Sequence, residues 1–196
     1  GLKSEFRDGR VNTTVAVFRT DQDNLAESTG QPIPGGPANS VAYRAVDGAQ
    51  TNGFELEASG EILPRWQLLA GYTYRITEDP EGDELNTSSP EDMLRLSTRY
   101  RFNGSLDGLT LGTSIAWQNK TYAFVTRPGH SGDFKFVQDA YTLVDLMARY
   151  QFNPALSVTA NVSNLTDETY FNNLGFYNGG YYGDGRKASL KLNYRF

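Results

Sequence analysis

Apolar and polar residues alternate along most of this chain with the period of two that is typical of β-strands. The last ten residues show the pattern most clearly, because Ala188, Leu190, Leu192, Tyr194 and Phe196 occupy every second position with polar residues between them. Helical periodicity is nearly absent. The alternation predicts nine strands, at about 2–7, 11–21, 42–61, 66–77, 94–102, 109–125, 136–152, 156–164 and 187–196.

Short and long connections between the predicted strands alternate strictly. The tight turns, at 8–9, 63–65, 103–108 and 153–155, contain the Gly, Pro, Asn and Asp residues that turns favour. The long connections run over 22–41, 78–91, 126–135 and 165–185. In an up-and-down meander, this alternation puts every tight turn at one end and every long loop at the other, which is the arrangement of outer-membrane β-barrels.

The two faces of the predicted strands differ, and their residues indicate which face meets lipid. Aromatic rings stand where strands meet the tight turns, as in the belt at a membrane interface: Trp66, Tyr100, Phe102, Tyr150, Phe152, Tyr194 and Phe196. The opposite face carries charges suited to the wall of a wet lumen: Glu55, Glu57, Arg75, Arg95, Arg99, Asp145, Arg149, Lys191 and Arg195. We therefore predict an all-β fold of antiparallel, up-and-down transmembrane strands. The alternation leaves open a soluble β-barrel that carries a ligand, since its strands would show the same period.

Composition narrows the classes of function. The 196 residues have a mean hydropathy of −0.52, and their longest clean apolar run, 15–18, is far shorter than the ~18 residues of a spanning helix. A net charge of −5 argues against nucleic-acid binding. The absence of cysteine excludes disulfides and cysteine-ligated metal. The 12 Tyr, 11 Phe and 2 Trp are an unusual number of rings for a helical or disordered chain.

No catalytic arrangement is legible in the sequence, so we predict that the chain is not an enzyme. The single histidine, His130, lies in a long connection without the partners that a metal site or a catalytic triad needs. Five carboxylates lie within 78–84, but their spacing does not match a Ca²⁺ loop, and a solvated acidic loop is the simpler interpretation. We expect no catalytic residue, no metal ligand and no resident cofactor.

Several segments match, in order, the motifs of one known family. The segment 164–171, NLTDETYF, is similar to an NL-x-D-x-x-Y motif, and 182–186 with the strand ending at 196 is similar to a closing strand. Residues 46–57 and 66–74 resemble two consecutive barrel strands, and 1–18 resembles a strand pair. Together these segments resemble TonB-dependent outer-membrane receptors of the ferric-siderophore type. Gly185 departs from the proline that the family commonly has there, and a glycine frees the φ angle that a proline fixes.

The resemblance implies that the chain is part of a larger receptor. It implies a 22-stranded outer-membrane barrel filled by an N-terminal plug domain, with residues 1–196 as about nine C-terminal strands and with the plug and the N-terminal strands absent. The implied ligand is a ferric siderophore, and the implied partners are outer-membrane lipid, the plug and the TonB complex, with no nucleic acid. An alternative omits the strand 2–7 and leaves eight strands that close into a small outer-membrane barrel with a structural or adhesion role.

The last long connection is the candidate ligand contact. It holds six rings among Asn and Gly residues: Tyr170, Phe171, Phe176, Tyr177, Tyr181 and Tyr182. Rings and amides at the mouth of a barrel can stack on a chelate and hydrogen-bond to it. We therefore expect Phe176, Tyr177, Tyr181 and Tyr182 to contact the ferric siderophore. For each of them, packing within the loop is the competing interpretation.

Overall fold

The chain forms fifteen strands in a computed structural model that describes residues 1–23, 25–37, 40–46, 48–126, 132–175 and 179–196. No helix in these residues is long and apolar enough to cross a membrane. One turn of 3-10 helix covers Gly104–Leu106. The strands are β1 (Leu2–Phe6), β2 (Val11–Gln22), β3 (Leu25–Pro32), β4 (Val41–Val46), β5 (Ala49–Leu63), β6 (Trp66–Glu78), β7 (Asp92–Arg101), β8 (Leu109–Gln118), β9 (Thr121–Thr126), β10 (Asp133–Gln138), β11 (Tyr141–Gln151), β12 (Leu156–Ser163), β13 (Phe171–Leu174), β14 (Gly180–Tyr182) and β15 (Lys187–Tyr194).

Nine of the strands form one antiparallel sheet in the order β1-β2-β5-β6-β7-β8-β11-β12-β15. This confirms the predicted all-β, up-and-down arrangement and its nine strands. The other six strands form three separate hairpins, β3–β4, β9–β10 and β13–β14, within or beside the long connections. All three hairpins lie at the end of the sheet opposite the tight turns.

Three of the predicted strands were too long. The predicted strand 42–61 is divided between β4 and β5, 109–125 between β8 and β9, and 136–152 between β10 and β11. At each break the chain leaves the nine-stranded sheet and takes a hairpin partner instead. The period-two pattern continues through such a break because it reports the faces of a strand and carries no information about a change of partner.

The registers place the apolar side chains in continuous rows on one face of the sheet. Val15, Leu56, Tyr72, Leu94 and Trp117 are successive partners across β2, β5, β6, β7 and β8. These rows have no protein core beneath them, because the buried apolar side chains of the described residues are Ala49, Ala123, Val125 and Leu174, all at the long-loop end. The apolar face is exposed on the chain alone, with Val17 77% and Leu190 76% exposed, as expected of a face that contacts lipid.

Aromatic pairs follow the tight-turn end of the apolar face, where the sequence predicts a membrane interface. The ring centroids of Trp66 and Tyr100 lie 6.1 Å apart, and those of Tyr100 and Phe102 lie 4.9 Å apart. The Tyr150–Phe152 and Tyr194–Phe196 pairs repeat this arrangement at 4.8 and 5.1 Å. All four contacts are edge to face, which is the favourable packing of two quadrupoles.

The sheet is open. Among the described strands, β1 pairs with β2 and β15 pairs with β12, so each has one free edge. The eight-stranded alternative requires β2 to pair with β15, but the second neighbour of β2 is β1. In an antiparallel sheet of nine strands the two edge strands run in the same direction, so antiparallel closure needs an odd number of further strands.

One glycine fixes the geometry beside a tight turn. Gly60, in β5, has φ +137°, and a Cβ atom there would lie 1.9 Å from the carbonyl oxygen of Arg10. The next amide, of Glu61, donates to that same oxygen at 2.9 Å. A side chain at position 60 would therefore break the approach of the β1–β2 turn to β5.

Candidate ligand vestibule at the long-loop end

The polar face of the sheet opens into a cavity of about 640 Å³ at the long-loop end. Arg75 reaches it from β6, Lys120 from the link between β8 and β9, and Lys135 from β10. Glu84 and Glu91 contribute the opposite charge from the 78–91 connection. We call this cavity the outer vestibule.

A tyrosine and its neighbours organise the wall of the outer vestibule. The hydroxyl of Tyr122 donates to Glu84 Oε2 at 3.1 Å, and Lys135 Nζ lies 3.6 Å from the centre of the Tyr122 ring. This places a cation over a ring face, an attractive contact for the ring quadrupole. Asn119 Nδ2 donates to Asp92 Oδ2 at 3.0 Å, while Asn119 Oδ1 is buried without a hydrogen-bond partner among the described residues.

Two groups of the outer vestibule, Glu91 and Tyr122, have raised pKa values. Burial raises the pKa of Glu91, and repulsion from Glu84 and Asp92 raises it further, against a smaller lowering by Lys120. Burial also raises the pKa of Tyr122, and its hydrogen bond to Glu84 adds to the effect. A carboxyl group that is partly desolvated and lies near other carboxylates has its ionised form disfavoured.

A second, smaller cavity of about 250 Å³ lies beside the last long loop. Its wall includes Tyr141, Tyr170 and Arg95. The rings of Tyr141 and Tyr170 are stacked, with centroids 4.6 Å apart at an interplanar angle of 30°. The Tyr170 ring lies against Gly183, where a Cβ atom would come within 2.0 Å of it. The site therefore presents flat aromatic surface and a guanidinium together.

Two outer hairpins pack together through rings. The centroid of Phe171 in β13 lies 4.5 Å from that of Tyr182 in β14 and 4.9 Å from that of Phe136 in β10. Gly180 is needed for this contact, because a Cβ atom there would lie 2.7 Å from Phe136 and 2.8 Å from Phe171. The amide of Phe171 also donates to Gln138 Oε1 at 2.7 Å. The β9–β10 and β13–β14 hairpins therefore meet as one packed unit.

The NL-x-D-x-x-Y segment forms the base of the last loop. Asn164 is 4% exposed, its Nδ2 donates to the carbonyls of Glu168 at 2.8 Å and Asp184 at 3.1 Å, and its Oδ1 accepts the Glu168 amide at 2.8 Å. Asp167 Oδ1 accepts the amide of Arg186 at 2.8 Å. This segment thus joins the two ends of the 165–185 connection by hydrogen bonds. It lies next to Gly185, the position at which the family commonly has proline.

The structure describes only half of the predicted ligand contacts. Tyr181 and Tyr182 are exposed, by 53% and 69%, on the β14 side of the last hairpin. Phe176 and Tyr177 lie outside the described residues, as does His130. The described cavities add residues that the sequence analysis did not select as ligand contacts: Arg75, Arg95, Lys120, Tyr122, Lys135, Tyr141, Tyr170 and Phe171. The alternation placed Arg75 and Arg95 on the polar face, but their positions between the tight-turn end and the long-loop end follow from the registers.

The carboxylates at 78–84 form a turn of their own. Asp79 Oδ1 accepts the amides of Glu81 at 3.0 Å and Asp83 at 2.8 Å, so one of the five carboxylates closes the loop. Glu81, Asp83 and Glu84 are exposed. Among the described residues, no three acidic or histidine side chains are grouped as a metal site would need.

Comparison with known proteins assigns this barrel wall to a family. The model of the TonB dependent receptor-like β-barrel matches residues 1–165. The chain belongs to the TonB-dependent receptor β-barrel family. It is 43% identical to the ferripyoverdine receptor of Pseudomonas aeruginosa and 40% identical to the ferric-pyoverdine 358 receptor of Pseudomonas putida, in both cases over its whole length. It spans 24% and 23% of those two relatives, so it covers about a quarter of their length.

Solved structures of this family share the fold. The structure of the P. aeruginosa outer-membrane ferripyoverdine receptor bound to ferripyoverdine matches 99% of this chain with a TM-score of 0.90 and 42% identity, and this chain covers 26% of it. A receptor solved in complex with pyocin S2 matches equally well. These relatives are receptors and not enzymes, in agreement with the prediction for this chain, and membership of the family places the chain in the bacterial outer membrane.

Proposed function

We propose that this chain is the C-terminal part of the barrel wall of a receptor that takes up a ferric siderophore across the outer membrane. The observation that carries the proposal is identity of 43% and 40%, along the whole chain, to two receptors named for ferric pyoverdine. The open sheet supports it, because nine strands with two free edges need further strands before their backbone groups can be satisfied in lipid. The exposed apolar rows and the edge-to-face rings fit outer-membrane lipid as the surrounding partner.

The outer vestibule and the aromatic cavity beside it are the proposed place of binding. A ferric chelate needs aromatic surface on which to stack and cations for its anionic oxygens, and this end of the polar face supplies both. We include Phe176, Tyr177, Tyr181 and Tyr182 in the ligand contact, as the ring-rich tip of the adjacent hairpin. Transport is proposed to depend on a plug domain and on TonB in the full-length receptor.

An uptake experiment tests the function. The full-length receptor is expressed in a bacterium that lacks its own siderophore receptors, with and without TonB, and radiolabelled iron is supplied as ferripyoverdine. We expect TonB-dependent accumulation of iron. Binding without accumulation in the TonB-positive strain would contradict transport, and no binding of ferripyoverdine or of other ferric siderophores would contradict the receptor function itself.

Substitutions test the ligand contact separately. Tyr181→Ala with Tyr182→Ala should weaken binding of the ferric siderophore about tenfold, since each stacked ring contributes roughly 0.5–1.5 kcal/mol beyond the apolar area it buries. Tyr43→Ala is the matched control, because Tyr43 is an exposed ring on the separate β3–β4 hairpin. Equal affinities of the double variant and the control would remove Tyr181 and Tyr182 from the proposed contact.

A further inference from the structure

The β13–β14 hairpin, which carries Tyr181 and Tyr182, is too short to hold its position by itself. Its strands have four and three residues, and their register shifts between Phe171 and Asn173. A two-stranded hairpin on its own is marginally stable at best in water. The position of the two tyrosine rings therefore depends on what this hairpin packs against.

The hairpin packs against one face of the β9–β10 hairpin. The six residue pairs of β9 and β10 show no register shift, so every second residue of each strand points to the same face. On this face Ala123, Val125 and Gln138 are buried, with 8%, 7% and 8% of their surface exposed. A Cβ atom on Gly175, at the end of β13, would lie 2.9 Å from the Cβ of Ala123. The β9–β10 hairpin thus provides a regular support for the shorter one.

Two side chains of β10 make the specific contacts. Gln138 Oε1 accepts the Phe171 amide at 2.7 Å, and Gln138 Nε2 donates to the carbonyl of Asp139 at 2.7 Å, so both ends of the side-chain amide are bonded. The Phe136 ring meets the edge of Phe171 at 4.9 Å and an interplanar angle of 68°. Phe171 in turn stacks on Tyr182 at 4.5 Å and 23°. A continuous line of contacts therefore leads from β10 to Tyr182.

The two β10 side chains lie outside the proposed place of binding. In the described part of the chain, Phe171 lines the aromatic cavity, whereas Gln138 and Phe136 line neither this cavity nor the outer vestibule. Gln138 also has almost no exposed surface with which to meet a ligand. Any effect of these two residues on a ligand must therefore pass through the hairpin that they contact.

We propose that Gln138 and Phe136 are positioning residues, which hold the β13–β14 hairpin where Tyr181 and Tyr182 contact the ferric siderophore. The inference rests on the proposed function, because the position of these rings affects binding only if they contact the ligand. When only a fraction of the receptor has its hairpin in the binding position, the apparent affinity falls in proportion to that fraction. Substitutions in β10 should therefore weaken binding without removing any group that touches the ligand.

A double substitution in β10 tests the inference in the full-length receptor. Gln138→Leu removes the acceptor of the Phe171 amide, and Phe136→Leu removes the edge-to-face ring contact, while both keep an apolar side chain of moderate size. We expect this β10 variant to bind ferripyoverdine about three- to tenfold more weakly, which corresponds to the loss of a hydrogen bond and a ring contact.

The matched control makes the same two changes in β5. Gln50 also uses both ends of its amide, accepting from Asn52 at 2.8 Å and donating to Asp21 at 3.1 Å. Phe54 also contacts a ring, that of Tyr72, with centroids 5.7 Å apart. Gln50→Leu with Phe54→Leu should leave the affinity for ferripyoverdine unchanged. Equal losses of affinity in the β10 variant and in this control would overturn the inference.

Two further measurements separate positioning from a general structural effect. In a receptor that already carries Tyr181→Ala with Tyr182→Ala, the β10 substitutions should weaken binding no further, because the rings that they position are gone. A fluorotyrosine at position 182 reports its stack on Phe171 by fluorine NMR, and its signal should change in the β10 variant and not in the control. An undiminished loss in the first measurement, or an unchanged signal in the second, would overturn the inference.

The inference and the proposed function fail separately. If Tyr181→Ala with Tyr182→Ala weakens binding and the β10 variant does not, the positioning role is wrong and the ligand contact stands. If the β10 variant changes the fluorine signal but neither variant changes the affinity, the hairpin is held as inferred and the proposed contact of its rings with the ligand is wrong.

Discussion

Asn164 gives the sharpest test of how the last outer loop is held. Its side chain makes three hydrogen bonds, to the carbonyls of Glu168 and Asp184 and from the Glu168 amide. Each such bond contributes about 0.5–1.5 kcal/mol, so Asn164→Ala should lower the free energy of opening the loop by roughly 1.5–4.5 kcal/mol. The left-handed φ of +49° adds about 1 kcal/mol of strain for alanine, which asparagine tolerates better.

Amide hydrogen exchange of the full-length receptor measures this opening. We expect the amides of Glu168, Gly183 and Arg186, which bond within the base of the loop, to exchange about a hundred- to ten-thousandfold faster in Asn164→Ala. Asn164→Gly removes the same bonds without the strain, so it should fall between the alanine variant and the native chain. Asn161→Ala is the matched control, because Asn161 lies in β12, three residues before Asn164, and makes one side-chain bond, of 3.5 Å, to Ser189 in β15. Exchange in Asn164→Ala no faster than in the control would refute the clamp.

Three further predictions follow from single positions. Gly60→Ala should destabilise the folded barrel by more than about 3 kcal/mol, because Gly60 has a positive φ and a backbone oxygen lies close to it. Gly185→Ala should stabilise the barrel by about 0.4–1 kcal/mol, because its Cβ would lie 3.5 Å from its nearest neighbour. Denaturant unfolding measures both changes, and equal effects would contradict the prediction. The raised pKa of Glu91 means that its charged form is disfavoured in the folded state. At a pH above that pKa, Glu91→Gln should therefore raise the Tm, and the gain should disappear as the pH falls below the pKa of this carboxyl in the unfolded chain. A gain in Tm that persists in acid would count against this. Trp66→Phe keeps an aromatic ring but loses the 2.7 Å bond from Nε1 to Thr98, so unfolding should become easier by about 1 kcal/mol. The same substitution in a Thr98→Val background should cost almost nothing, because that background already lacks this bond as well as the Thr98 bond to the Gln67 carbonyl, and an undiminished cost would show that the bond is not the cause.

The sequence predicted the wall of this barrel better than it predicted the outer rim. Wall strands face lipid on one side and water on the other, so the polarity of each residue indicates which face it occupies. The nine strands and four tight turns could therefore be predicted one segment at a time. The hairpins at the rim have no such two-sided environment. Residues 119–120 and 139–140 divide β8 from β9 and β10 from β11, although the alternation runs on through both breaks.

The outer vestibule and the aromatic cavity beside it were harder to predict because their residues are far apart in sequence. Tyr141 and Tyr170 stack although 29 positions separate them, and Lys135 meets Tyr122 across the β9–β10 hairpin. The sequence showed that the last loop is rich in aromatic rings, so the predicted ligand contacts lay within 176–182 and did not include Arg75, Lys120 or Tyr122. Nothing in a single segment indicates that these three line one cavity.

By itself the sequence determined the fold class, the polar and apolar faces of the strands and the end at which the long loops lie, because alternation and turn chemistry are local properties of the chain. Only the tertiary structure decided which strands are neighbours, in which register, and where the strands leave the wall to form hairpins. The cationic cavity at the tight-turn end of the polar face depends on both. The sequence placed most of its cations, Arg99, Arg149, Lys191 and Arg195, on that face, and the antiparallel register gathered them at one end of it. That gathering is a property of pairing between distant segments, so no single stretch of sequence contains it.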